Sequence, residues 1–133
     1  MTWFHIQGLG RKDGGHPIVD QVFAADGAMN TAAFVALLTD DASLRIGSHP
    51  ALQGKAAITE AVNGVFAMMR SGLEHRLIEM WGTDDVLVYE AEVTYRLKDG
   101  RDLVLPYTNV LRLADTGRVA DYRIYIDLAP LNS

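Results

Sequence analysis

Hydrophobic positions along the chain change period near its middle. Up to about residue 70 most recur at helical spacing, and beyond it they alternate. Pro17 suits the first turn of a helix, because its missing N–H has no intrahelical partner there. Val19, Val22 and Phe23 form the apolar stripe of a helix running to about Asp26 and ended by Gly27. Asn30 or Thr31 caps a second helix over 32–38, which buries Phe34, Leu37 and Leu38. Asp40-Asp41 marks a turn, 42–46 a short strand, and HPALQGK a loop. A third helix starts at Gly54-Lys55 and reaches about Arg70, with Ile58, Val62, Val65, Phe66 and Met69 at helical spacing. Ser71-Gly72 stops it. Residues 73–81, 86–97, 102–113 and 118–128 read as four long strands joined by GTDD, KDG and ADTG. Gly with Asp is the turn chemistry of tight hairpins.

Residues 1–15 have no regular period, because Gly8, Gly10, Gly14 and Gly15 interrupt it. They read as a mobile or loosely docked arm with at most a short extended piece, which leaves 16–133 as the domain proper. Helices followed by a meander of strands argue an α+β fold, a curved antiparallel sheet with helices packed on one face.

Composition narrows the function classes. With 133 residues the chain is one domain's worth. A net charge of −5 and no Lys/Arg cluster argue against a nucleic-acid partner. There is no cysteine, so disulfides and thiolate metal sites are excluded, and no His-x-His or His-x₃-His spacing suggests a metal. GLGRKDGG follows no strand and opens no capped helix, so it is not read as a phosphate loop. No signal-peptide pattern opens the chain, and no apolar run approaches the roughly 20 residues of a membrane span. The expectation is a cytoplasmic protein with no membrane partner and no cofactor.

Two stretches carry a family resemblance. LLTDDASLRIGSHPALQGKAAITEAV pairs two acids and a short strand with Gly-Lys-x-x-Ile, and GRDLVLPYTNVLRLADTGRVADYRIYIDLAPL forms the last hairpin. With the order α-α-β-α-β-β-β-β, the chain resembles the nuclear transport factor 2-like superfamily over about residues 17–130. The last hairpin looks like those of SnoaL-like polyketide cyclases and limonene epoxide hydrolases. The resemblance implies a cystatin-like cone, a curved antiparallel sheet with three helices on the concave side. That fold hosts isomerases, cyclases, hydrolases, dehydratases and plain binding domains, so function must come from the site.

Carried over without gaps, the ketosteroid isomerase pattern puts Ile46 at the base, Val22 at the oxyanion-hole Tyr and Asn109 at the oxyanion-hole Asp. Ile46 takes no proton, so this is not that kind of isomerase, while Asn109 keeps a hydrogen-bonding role. The limonene epoxide hydrolase pattern puts Asp127 at the last-strand acid, Glu92 at the third-strand acid and Glu90 where an Arg belongs. Its water-positioning Tyr and Asn fall on Leu44 and Ile46. Both patterns imply that Glu90, Glu92 and Thr94, then Tyr107 and Asn109, then Arg123, Tyr125 and Asp127 face the pocket. Asp127, Glu92 and Arg123 are thus the candidate catalytic group, with one carboxylic acid raised beside an ionised one. The same three also fit an inert ion-pair network. Tyr107, Asn109, Tyr125, Glu90 and His49 are candidate substrate contacts, with Ile46 and Phe66 in the wall. His75 is read as reaching either pocket or surface. The opposite set (Tyr89, Ala91, Val93 and Tyr95, then Val104, Thr108 and Val110, then Tyr122, Ile124 and Ile126) is too apolar to face water as one patch, which implies a homodimer packed sheet to sheet. The expected function is to hold a small, largely apolar, oxygenated molecule. It extends to cofactor-free acid–base chemistry on it: isomerisation, cyclisation, dehydration or epoxide hydrolysis. A non-catalytic binding protein and a dimerising accessory module are the open alternatives.

Overall fold

The computed structural model describes residues 2–132 and contains seven strands and three α-helices, the expected order α-α-β-α-β-β-β-β with two strands added, one at the start and one before the third helix. The strands are β1 (Phe4–Arg11), β2 (Leu38–Ile46), β3 (Leu52–Gln53), β4 (Glu74–Gly82), β5 (Val86–Arg96), β6 (Asp102–Leu113) and β7 (Val119–Ile126). The helices are α1 (Pro17–Gly27), α2 (Thr31–Val35) and α3 (Lys55–Ala67), and a 3₁₀ turn, Ala129–Asn132, follows β7. One sheet runs β1-β4-β5-β6-β7-β2-β3. It is antiparallel except that β2 and β7 pair in parallel. Parallel neighbours need a long crossover, and here the connection contains α3 and the β4–β6 meander.

Local chemistry explains the helix starts. The His16 side chain accepts from Ile18 N at 3.2 Å ahead of Pro17. Asn30 accepts from Ala33 N at 3.0 Å, the ordinary N-cap bond. Several boundaries differ from the sequence reading: β2 takes in Asp40-Asp41, read as a turn, and β3 lies in the stretch read as a loop. Helix α2 is one short turn, because Leu37 O accepts from Val119 N and Leu38 joins the sheet opposite Val119. Helix α3 stops at Ala67, where Met69 bridges to Leu97. The stretch read as a loose arm is strand β1, paired antiparallel with β4 from Phe4↔Gly82 to Gln7↔Glu79 and again at Arg11↔Leu77. Gly8, which interrupts the sequence pattern, allows the pairing: a Cβ there would collide with the Leu77 backbone.

The core lies between the helices and one face of the sheet. Val19, Val22 and Phe23 of α1 and Ile58, Val62 and Phe66 of α3 pack with Leu77, Met80, Leu87, Tyr89 and Leu111. Burying such a side chain contributes about 1.5–3 kcal/mol, so this face governs the register. Paired residues share a face. Tyr89 lies opposite Asn109 and Asn109 opposite Ile124, while Ala91 lies opposite Tyr107 and Tyr107 opposite Ile126. The helix-covered face therefore carries Tyr89, Ala91 and Val93, Tyr107, Asn109 and Leu111, and Tyr122, Ile124 and Ile126. The expectation for β6 holds, and those for β5 and β7 are inverted. A one-residue slip flips every side chain of a strand, and an ungapped transfer from distant relatives made that slip twice. Of the residues whose apolar character argued for a sheet-to-sheet dimer, those of β5 and β7 line the interior, while Val104, Thr108 and Val110 of β6 stay on the outer face, so most of that ground for a dimer falls. No helix among the described residues is long and apolar enough to cross a membrane.

Candidate active site

Between α2, α3 and the concave sheet lies a cavity of about 520 Å³, within the usual size range for small-molecule sites. Its walls are largely apolar. Val62, Val65 and Phe66 come from α3, Leu44 and Ile46 from β2, and Ile124 and Ile126 from β7. The polar side chains lining it are few: Asp26, His49, His75, Tyr95, Tyr107, Asn109 and Tyr122.

Three of these form a chain. His75 Nε2 lies 2.8 Å from Asp26 Oδ2, and His75 Nδ1 lies 2.6 Å from Tyr107 Oη. The Asp26 and His75 side chains are only 13% and 9% exposed, so water screens the pair little. Phe23 stacks on the imidazole at 4.6 Å and 11° and fixes its plane. With neutral His75, a carboxylate on Asp26 must accept the Nε2–H. Nδ1 is then an acceptor, and Tyr107 donates its hydroxyl proton to it. This is the arrangement in which an acid orients an imidazole that in turn activates a hydroxyl.

Each member is placed by its element. Asp26 continues the Val19–Val22–Phe23 stripe of α1 by three more residues, so the helix that buries the stripe also buries the acid. His75 is the second residue of β4, and Leu73 N donates to Asp26 O at 3.1 Å, tying the end of α1 to the start of β4. The close approach needs Gly72, where a Cβ would collide with the Gly27 backbone. Tyr107 lies on β6 opposite Ala91, whose small side chain leaves room for the ring.

Around this chain the phenols stay protonated. Burial pushes Tyr89 and Tyr95 up to about 12, with the Asp26 charge adding to it. Burial first, then neighbouring phenols and Asp26, holds Tyr107 and Tyr122 well above the ordinary value. Asn109 Nδ2 donates to Tyr89 Oη at 2.9 Å. Asn109 Oδ1 is buried, and no donor among the described residues reaches it.

Of the residues singled out in the sequence, Tyr107, Asn109, His49, Ile46 and Phe66 line the cavity, His49 from the exposed loop after β2. Glu90, Glu92, Arg123, Tyr125 and Asp127 do not. Glu90 faces outward opposite Thr108, and Glu92 lies between Arg76 and Pro106. Arg123 pairs with Asp121 at 3.1 Å rather than with Asp127. Tyr125 is 54% exposed. Asp127 is exposed beyond the end of β7, where Oδ1 accepts from Ala129 N at 2.9 Å and caps the 3₁₀ turn. The expected Asp127–Glu92–Arg123 cluster is therefore not assembled, because strand polarity sets those side chains toward water. Sequence reasoning missed Asp26, although its signal was present: an acid on the apolar stripe of a helix. No three His, Asp or Glu side chains converge as metal ligands among the described residues.

A family model described as a SnoaL-like domain matches residues 19–122. No curated protein matches the chain in sequence. Several solved structures share its fold. One is a hypothetical protein with a ketosteroid isomerase-like fold from Catenulispora acidiphila, in complex with trimethylamine. It has a TM-score of 0.75 and 18% identity over 84% of this chain and 85% of that one. Another is a putative SnoaL-like polyketide cyclase from Jannaschia sp., at 0.72 and 20% over 87% of each chain. A third is an LEH-like epoxide hydrolase from M. tuberculosis, at 0.71 and 15% over 85% of this chain and 82% of that one. At such identities these likenesses concern the fold.

Proposed function

The chain belongs to the SnoaL-like domain family, and we propose that it binds a small, largely apolar, oxygenated molecule and moves a proton on it without a cofactor, through Asp26, His75 and Tyr107. The observation that carries the proposal is the hydrogen-bonded run Asp26–His75–Tyr107 in the wall of an otherwise apolar cavity. The apolar walls take the hydrocarbon body and exclude water, which strengthens every electrostatic contact inside.

The step is a relay. A ligand O–H, or a C–H acidified by a neighbouring carbonyl, gives its proton to Tyr107 Oη while the Tyr107 proton passes to His75 Nδ1. No free phenolate accumulates, as the raised pKa of Tyr107 requires. The imidazolium formed lies against Asp26, whose charge stabilises it. Reversal returns a proton through Tyr107 to another atom of the same ligand. Isomerisation, loss of water and ring closure all follow this course, and positioned acid–base groups typically contribute about 10²–10⁴-fold to rate.

The test is solvent-deuterium incorporation into a panel of cyclic hydroxyketones, followed by NMR. Wild-type protein should accelerate exchange, and Tyr107→Phe should bind the same compounds without exchanging them. Binding without exchange by wild-type protein would support a non-catalytic binding protein instead, a reading favoured by the fact that the three groups already satisfy one another. Assembly as a homodimer in the cytoplasm belongs to the same proposal, and sedimentation at micromolar concentration checks the dimer.

A further inference from the structure

The hydrogen bonds of the two polar side chains that β6 presents to the cavity bear on what the ligand carries against them, an inference that rests on the reading of the cavity as a ligand site. Asn109 is only 3% exposed. Its amide donates to Tyr89 Oη, and its carbonyl oxygen meets no donor among the described residues. Buried amide oxygens are rarely left so, because an unpaired acceptor loses the bonds it would make in water. Two residues along the same face of β6, about 7 Å away, is Tyr107, which lies 2.6 Å from His75 Nδ1 and donates its hydroxyl proton there when His75 is neutral. Both polar groups that β6 presents there are therefore acceptors. A carbonyl or ether set against them would place oxygen against oxygen. A hydroxyl set against them donates.

We infer that the ligand is an alcohol, enol or phenol whose hydroxyl donates to Asn109 Oδ1, and that Asn109 makes the site select hydroxylated compounds over their ketone and hydrocarbon counterparts. This differs from an oxyanion-hole role, in which the amide would donate. Selectivity of this kind is strong where it occurs, because a compound without the hydroxyl leaves a buried polar atom unpaired.

A matched series of one carbon skeleton tests it: menthol, menthone and p-menthane, each titrated by calorimetry into wild-type protein, Asn109→Leu and Asn109→Asp. Menthol should bind wild-type protein about tenfold or more tighter than either partner. The preference should vanish in Asn109→Leu, with p-menthane affinity kept or raised, and persist in Asn109→Asp, which retains an acceptor. Equal binding of menthol and menthone by wild-type protein, or a menthol preference that survives in Asn109→Leu, overturns the inference. If either occurs while Tyr107→Phe still abolishes deuterium exchange, the proton-relay reading stands without it. If none of the three compounds binds, the ligand-site reading fails and this inference fails with it.

Discussion

Replacing Gly72 by alanine tests how packing positions the chemistry. A Cβ at Gly72 would lie 2.6 Å from Gly27 C, and closer still to its carbonyl oxygen. Ordinary carbon contacts are about 3.5–4.0 Å, so the end of α1 and the start of β4 must separate by about 1 Å. Two bonds span that junction: Leu73 N to Asp26 O at 3.1 Å, and His75 Nε2 to Asp26 Oδ2 at 2.8 Å. Lengthened by about 1 Å, both exceed hydrogen-bond distance. Overpacking costs about 1–3 kcal/mol and the lost backbone bond about 1 kcal/mol. The sum of about 2–4 kcal/mol corresponds to a fall in Tm of roughly 7–14 °C for a domain of this size. Urea unfolding followed by circular dichroism measures the stability. The ¹⁵N shifts of His75, at about pH 8 and above the ordinary imidazole range, report whether Nε2 still carries the proton. A Gly72→Ala protein as stable as wild type, with unchanged His75 shifts, would refute the claim that this close approach holds Asp26 against His75.

Other expectations follow from the same geometry. Asp26→Asn keeps the shape but removes the charge that stabilises the imidazolium, so exchange into a bound hydroxyketone should fall by about 10²–10⁴-fold at little cost in affinity; a loss under threefold would contradict the relay. Asp127→Asn and Glu92→Gln, outside the cavity, should leave exchange and ligand affinity unchanged, and a large loss in either would return the outer acids to the mechanism. Raising the pH should destabilise the fold through the buried phenols. Tyr89 and Tyr95 are raised to about 12 from an ordinary value of 10.0, so their protonated forms favour the native state. Their contribution is complete below about pH 10 and is lost as pH climbs toward 12, about 2–3 kcal/mol for each. Ultraviolet titration of phenolate, run beside urea unfolding at each pH, should show the two changes rising together.

The architecture was legible because its signals are local. Helical spacing marks α1 and α3, Gly–Asp turns mark the β4–β7 hairpins, and alternation marks their strands. Strand β1 was not, because Gly8 and Gly10 break the alternation, although Gly8 is what lets the backbone lie against Leu77. The parallel β2–β7 pairing was hidden because a long-range register leaves no trace in either strand alone. The site was legible only in part. Tyr107 and Asn109 follow from the pleat of β6. On β7 the simplest rule, apolar side inward, places Tyr122, Ile124 and Ile126 correctly; borrowing a polar pocket face from other members of the fold overrode it. Asp26 and His75 lie 49 positions apart, and neither alone announces a partner. A carboxylate three residues beyond an apolar helical stripe was the one local hint.

The central claim is that Asp26, His75 and Tyr107 act as one unit on a ligand in the cavity, and a double-variant cycle tests it most directly. Deuterium exchange into a bound hydroxyketone is measured at saturating ligand for wild type, Asp26→Asn, Tyr107→Phe and the double variant. Residues acting as a unit are strongly non-additive. The double variant should be no slower than Tyr107→Phe alone. Losses that multiply, or exchange that persists in Tyr107→Phe, would contradict it.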